Sequence, residues 1–159
     1  MEKLLKLLSE NARLTLEELA VMVDLTPVEV AALIDNAEKS GIIKGYQTLI
    51  DWDLANINNV KCMIDLCVSP QKNHGFDEIA LAVASLDEVE SVSLMSGGYD
   101  LSVVVTGKSF QEIALFVARR LSPMDNVLST ATHFVLKTYK RDGVMFETEA
   151  TDERGFITI

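Results

Sequence analysis

Cations are scarce in this chain. Its 159 residues hold 14 Lys and Arg against 24 Asp and Glu, a net charge of −10 at pH 7. Binding to a polyanion draws on Lys and Arg displacing counterions, so this balance excludes indiscriminate nucleic-acid binding unless the charges are segregated. Segregation is weak, because residues 1–50 carry 5 cations against 8 anions. Cysteine is sparse too. Cys62 and Cys67 lie five apart in one predicted strand, so they point to opposite faces and no bridge joins them within it. Long apolar runs are missing: the longest uncharged one, 79–86, is far too short to span a bilayer. The composition is nonetheless greasy, with 48% hydrophobic residues and a mean hydropathy of +0.21, and the surplus apolar surface points to an oligomer. No basic leader ending in small residues opens the sequence, which predicts a cytoplasmic protein with reduced thiols and no membrane contact.

Catalytic constellations are absent as well. His74 and His133 are far apart without cysteine or carboxylate partners at ligand spacing, and His74 reads as a surface-loop residue. There is no Gly-x-Gly-x-x-Gly or phosphate loop, and neither cysteine has an activating neighbour. The expectation is a protein that is not an enzyme, with no metal and no cofactor.

What is present begins with marked helix starts. Thr15 with Glu18, and Thr26 with Glu29, each form a Ser/Thr-x-x-Glu capping box, in which hydroxyl and carboxylate satisfy free backbone N–H groups reciprocally. Pro27 follows the second cap, where its fixed φ suits a first turn. Helices are therefore predicted over about 2–9, 16–23 and 27–39, with Asp24 tolerating a left-handed turn and Gly41 supplying a stop. Leu4, Leu5, Leu7 and Leu8 close a core with Leu16, Leu19, Ala20, Val23, Val30, Leu33, Ile34 and Ala37, which recur at helical spacing. Two capped helices on a short turn, followed by an incipient wing at 42–46, predict a winged helix-turn-helix. The alternative is a helical bundle with no nucleic-acid partner. Outward on the third helix stand Val28, Glu29, Ala31, Ala32, Asp35 and Asn36, with no Lys or Arg before Lys39.

The second half changes character after a polar connector at 51–59. Strands are predicted over 60–69, 89–95, 100–106 and 126–140, and helices over 76–86 and 109–121. Ser109 and Glu112 form a third capping box, Pro123 ends that helix, and Gly97-Gly98 read as a tight two-residue hairpin turn. The order βαββαβ is the ferredoxin-like arrangement, with both helices on one face of an antiparallel sheet. The greasier strand parity, Val92, Leu94, Leu128, Phe134 and Leu136, is expected on the helices. Ser91, Ser93, Ser129, Ala131 and His133 would then meet a second subunit. The fold class is α+β: a winged helix-turn-helix domain at 1–51, a βαββαβ domain at 60–141, and an extension at 142–159. The extension is acidic at Glu147, Glu149, Asp152 and Glu153 but ends in Phe156-Ile157-Thr158-Ile159, so a free tail and a docked strand both stand.

These residues carry a resemblance. Leu25-Thr26-Pro27, then Ser40-Gly41-Ile42-Ile43-Lys44-Gly45-Tyr46, then Gly97-Gly98-Tyr99-Asp100 in a βαββαβ context, resemble the Lrp/AsnC family of feast/famine transcription regulators over roughly residues 1–141. The resemblance implies double-stranded DNA as one partner and an amino acid or related small metabolite as another. It also implies a homo-oligomer, from dimer to octamer. It places the effector between subunits, near Gly97, Gly98, Tyr99 and Asp100 and near the strand carrying Thr130 and Thr132. Paired glycines let a carboxylate approach backbone N–H groups, and Asp100 suits an ammonium. The plainer alternative is that the glycines only turn the chain and the threonines are ordinary strand residues.

The candidate DNA contacts are Arg13, Thr26, Val28, Glu29, Ala32, Asn36, Lys39 and Lys44, with phosphates falling to Arg13, Lys39, Lys44 and helix N-termini. The family usually places basic residues along the third helix, with an arginine at the position of Leu33, and this chain departs from that. Two functions follow: an effector-responsive regulator binding DNA as an oligomer, or an effector-binding oligomer whose DNA module is degenerate and which modulates related subunits.

Overall fold

The computed structural model describes residues 1–70 and 75–146, so His74 and the tail from 147 onward, where the free-or-docked question falls, lie outside the described residues. The chain divides into two units, Met1–Ile50 and Asp51–Ile159.

The first unit is α1 (Glu2–Glu10), α2 (Leu16–Val23) and α3 (Pro27–Lys39). Both capping boxes form. Thr15 Oγ1 accepts from the Glu18 N–H at 3.2 Å while Glu18 Oε2 accepts from the Thr15 N–H at 2.8 Å; the Thr26 and Glu29 pair repeats this at 3.3 and 2.8 Å. Asp24 closes α2 in the left-handed region, φ 58° and ψ 49°. Beyond α3, Gly41 takes φ +71° and donates to the Glu38 carbonyl, and Ile42 donates to that of Ala37, a Schellman stop. Leu4, Leu19, Ala20 and Val30 are buried, flanked by Leu7, Leu8, Leu14, Val23, Leu33 and Ile34. Leu33 therefore belongs to the core margin and does not stand on the outward face. Residues 42–50 contain no strand, and Tyr46 ties this irregular segment back by donating its hydroxyl to Glu38 Oε1 at 2.8 Å.

The second unit has the expected βαββαβ order: β1 (Val60–Val68), α4 (Asp77–Ala84), β2 (Val89–Leu94), β3 (Leu101–Gly107), α5 (Phe110–Phe116) and β4 (Val127–Phe134). The strands lie β2-β3-β1-β4, every neighbour antiparallel. Cys62, Ile64, Leu66 and Val68 of β1, with Leu101, Val103 and Val105 of β3, pack against Ile79, Val83, Ile113, Phe116 and Leu121. α5 continues as one π-helical turn, Val117–Leu121, before Pro123.

Several boundaries differ from the periodicity for identifiable reasons. The long β-branched stretch stops as a strand at Phe134, because the last bond, Val135 N–H to Lys61 O, uses up β1. A separate short hairpin, β5 (Lys140–Arg141) with β6 (Val144–Met145), follows. Ser109 accepts from the Glu112 N–H at 3.1 Å, but the Glu112 carboxylate turns to the Lys108 N–H, so that box is half formed. Of the greasy parity, Val92 and Phe134 pack inward. Leu128 does not: a bulge between Cys67 and Val68 makes it an extra residue in β4 and leaves it 70% exposed. Leu94 at a strand end and Leu136 beyond one are exposed as well.

Candidate functional site

The outward stripe of α3 follows from its caps. With Val30 and Ala37 buried, a helical period of 3.6 puts Val28, Ala32, Asp35, Asn36 and Lys39 on the opposite side, and all five are exposed. Thr26 and Glu29 are committed to the cap: the Thr26 hydroxyl donates to Glu29 Oε2 at 2.7 Å and accepts from the Glu29 N–H. Hydrogen bonds from the Thr26 backbone and hydroxyl hold the Glu29 carboxyl below its ordinary range. Pro27 has no N–H and the Glu29 and Val30 N–H groups are taken by Thr26, so of the first turn's amides this leaves the Val28 N–H to face outward.

Asp35 finds its partner one turn along the helix. Its Oδ2 lies 2.7 Å from Lys39 Nζ, an i,i+4 ion pair that neutralises the helix's single cation. Arg13 is exposed in the α1–α2 connection, and Lys44 lies past α3 with its ammonium 3.1 Å from where a Gly41 Cβ would stand. Neither belongs to the α3 stripe. The hydrogen bond to Glu38 pushes the Tyr46 hydroxyl above its ordinary value, so it stays protonated and remains a donor.

In the second unit the β2–β3 connection is wider than a two-residue turn. The Met95 N–H donates to the Asp100 carbonyl at 2.8 Å, so the loop is Ser96-Gly97-Gly98-Tyr99. Gly97 and Gly98 are exposed, whereas Tyr99 and Asp100 are half-buried. Asp100 is anchored twice to β1: its N–H donates to Leu66 O at 2.9 Å, and its Oδ2 accepts from the Val68 N–H at 2.8 Å. The Cys67 Sγ approaches Gly98 O at 3.8 Å. One carboxylate oxygen is therefore already engaged at the place assigned to an ammonium.

Thr130 pairs with Leu66 and Thr132 with Ile64, both half-buried on the helix-covered parity. Since β1 stands between β3 and β4, it separates the two threonines from the hairpin within one chain. The hairpin and Thr130 share one end of the sheet, level with Leu66; Thr132 lies two pairs further along.

The open face holds a contact that sequence reasoning missed. His133 Nε2 lies 3.0 Å from Asp65 Oδ2, across the β1–β4 register. Asp65 pairs with Ala131, two pairs from His133 on the same face, a proximity visible only once the register is known. Burial pushes the Cys62 thiol up, which keeps it protonated and unreactive. Among the described residues no cluster of three His, Cys, Asp or Glu is placed to hold a metal, and no helix is long and apolar enough to cross a membrane.

Known proteins match both halves. A family model described as the Lrp/AsnC ligand binding domain matches residues 61–145, and one described as winged helix-turn-helix DNA-binding matches residues 2–44. The uncharacterised HTH-type transcriptional regulator YugG of Bacillus subtilis is 46% identical over 153 residues, covering 96% of this chain and 92% of that protein. A transcriptional regulator of Neisseria meningitidis, solved as a complex with L-Met, superposes with a TM-score of 0.70 at 27% identity, covering 87% of this chain and 89% of that one. AsnC of E. coli gives 0.66 at 25% identity over 87% and 91%. The Bacillus and Neisseria proteins are named as transcriptional regulators.

Proposed function

The chain belongs to the Lrp/AsnC family of transcriptional regulators, with a DNA-binding helix-turn-helix and a ligand-binding domain, and on that premise we propose how it works. It binds double-stranded DNA as a homo-oligomer in the cytoplasm, and an amino acid or related small metabolite changes that binding. The carrying observation is a fully capped α3 with an exposed outward stripe in a unit separate from the βαββαβ sheet.

The assignment of roles follows the geometry. Residues 1–51 supply DNA contacts from Arg13, Thr26, Val28, Glu29, Ala32, Asn36, Lys39 and Lys44, with Thr26 and Glu29 acting by fixing the first turn of α3. Residues 60–141 supply the effector site and the subunit contact, and 142–159 form an extension. The L-Met complex of the Neisseria protein supports the amino-acid class. Gly97, Gly98, Tyr99 and Asp100 form the effector site with Thr130 and Thr132 from a second subunit, since β1 separates the two sets within one chain. The open sheet face, with Met63 43% exposed beside Asp65 and His133, supports association of subunits, from dimer up to octamer. Several weak modules on one DNA then multiply through effective concentration.

A second reading is favoured by one observation: the sole cation of α3 is spent on Asp35. In it the DNA module is degenerate, and the protein binds effector and modulates related subunits. Fluorescence anisotropy decides between them. The full-length protein is titrated against the DNA upstream of its own coding sequence at several salt concentrations, with and without an amino-acid pool. The first reading expects specific binding, a shallow salt slope and a shift with effector. Absence of binding at low salt, with an amino acid still raising the melting temperature, selects the second.

A further inference from the structure

The outward stripe of α3 is apolar where a DNA-facing helix first meets base edges. Val28 is 79% exposed and Ala32 is exposed one turn later, directly opposite the buried Val30 and Ala37. Further along, Asp35 and Lys39 cancel each other at 2.7 Å, while the Asn36 side chain has no hydrogen-bond partner among the described residues. The stripe is also narrow. Two small apolar side chains flanked by Glu29 and an ion pair are far from the roughly 800 Å² per partner that a stable protein interface buries.

We propose that this stripe selects A·T pairs, with Val28 and Ala32 packing on thymine C5 methyl groups and Asn36 bridging adenine N6 and N7. The proposal deepens the DNA-binding reading and rests on it. Only thymine presents a methyl group in the major groove, and Asn is the side chain matched to adenine there. Against a G·C pair the same two side chains would cover guanine O6 and N7 or cytosine N4 without pairing them, which costs the desolvation of each. Asp35, the one residue here suited to cytosine N4, is held by Lys39. Four residues of helix advance about 6 Å, roughly two base-pair steps, so the two methyl contacts fall about two base pairs apart. Selectivity then comes from apolar contact, which needs no added cation and fits an acidic module.

Uracil-substituted DNA tests this directly. A duplex enriched from a random pool by the full-length protein is remade with deoxyuridine at each thymidine in turn, which deletes one methyl and leaves pairing intact. Affinity is expected to fall about fourfold at each of two positions, the equivalent of about 0.8 kcal/mol per methyl. Val28→Ser should abolish the effect at one position and Ala32→Ser at the other, a double-mutant cycle between protein and DNA methyls. Both positions are exposed, and circular dichroism checks that each variant stays folded. An enriched duplex that tolerates uracil at every position, or one centred on G·C pairs, overturns the methyl contacts while DNA binding stands. If no duplex is enriched even at low salt, DNA binding itself fails and the proposal falls with it.

Discussion

In residues 1–50, α2 and α3 are bounded by partners three to five positions away: Thr15 with Glu18, Thr26 with Glu29, Gly41 with Glu38, Ile42 with Ala37. In the sheet, Leu66 is held between Leu101 and Thr130, tens of residues distant on either side. The buried sets differ accordingly, the helical unit closing over Leu4, Leu19, Ala20 and Val30, and the sheet over a far larger group centred on β1. Short-range devices give a small unit its outline cheaply, and leave its surface chemistry free to vary. Non-local pairing gives the sheet its bulk, at the cost of fixing which residues meet.

The sharpest way to break that contrast is to empty the sheet core. Leu66→Ala should destabilise the second unit by about 2–5 kcal/mol while the first stays helical, giving a urea unfolding curve that separates into two transitions. A single transition shifted as a whole would show that the units fold as one. Next, Asp100→Ala strands the Val68 N–H, an expected loss of about 1–3 kcal/mol in the sheet's transition alone, together with the thermal response to amino acids. Asp100→Asn, which keeps an acceptor oxygen, should recover the stability and not the response.

Thr26→Ala removes a cap from α3 and should cost about 1 kcal/mol, confined to the helical transition. Its pH signature is specific. The Glu29 carboxyl is depressed in the folded state, so its stabilisation is complete above the ordinary carboxyl value and is lost as pH falls through the lower folded one. In Thr26→Ala that acid-side loss should shrink and still persist, because the hydroxyl's hydrogen bond is deleted while the Thr26 backbone N–H, the larger cause, is kept. The smallest stability effect belongs to Asp35→Ala, a few tenths of a kcal/mol for an exposed ion pair. Its DNA effect is larger: freeing Lys39 should tighten binding and steepen the plot of log affinity against log salt by about one unit.

Legibility followed the same divide. The ends of α2 and α3 were readable because Thr15, Thr26, Pro27 and Gly41 act on neighbours, and the βαββαβ succession followed from the alternation of strand and helix periodicity. Three things were hidden because each depends on register or side-chain reach. The bulge at Cys67 and Val68 turns Leu128 outward, against strict alternation. β4 ends at Phe134 because its partner ends, although Val135 and Leu136 continue the β-favouring pattern. His133 meets Asp65 only through a pairing 68 positions apart in sequence. The Asp35–Lys39 pair was within reach, as an i,i+4 acid–base spacing. The Gly97–Asp100 connection was readable as a turn between strands, but the placement of β1 between it and Thr130 was not.

The bond from Asp100 to the Val68 N–H makes that amide proton an internal reporter. While the carboxylate stays on it, exchange with solvent deuterium is slow; an ammonium that draws the carboxylate away exposes it without unfolding the sheet. Occupancy of the hairpin would thus be written, in deuterium uptake, at a single position on a neighbouring strand.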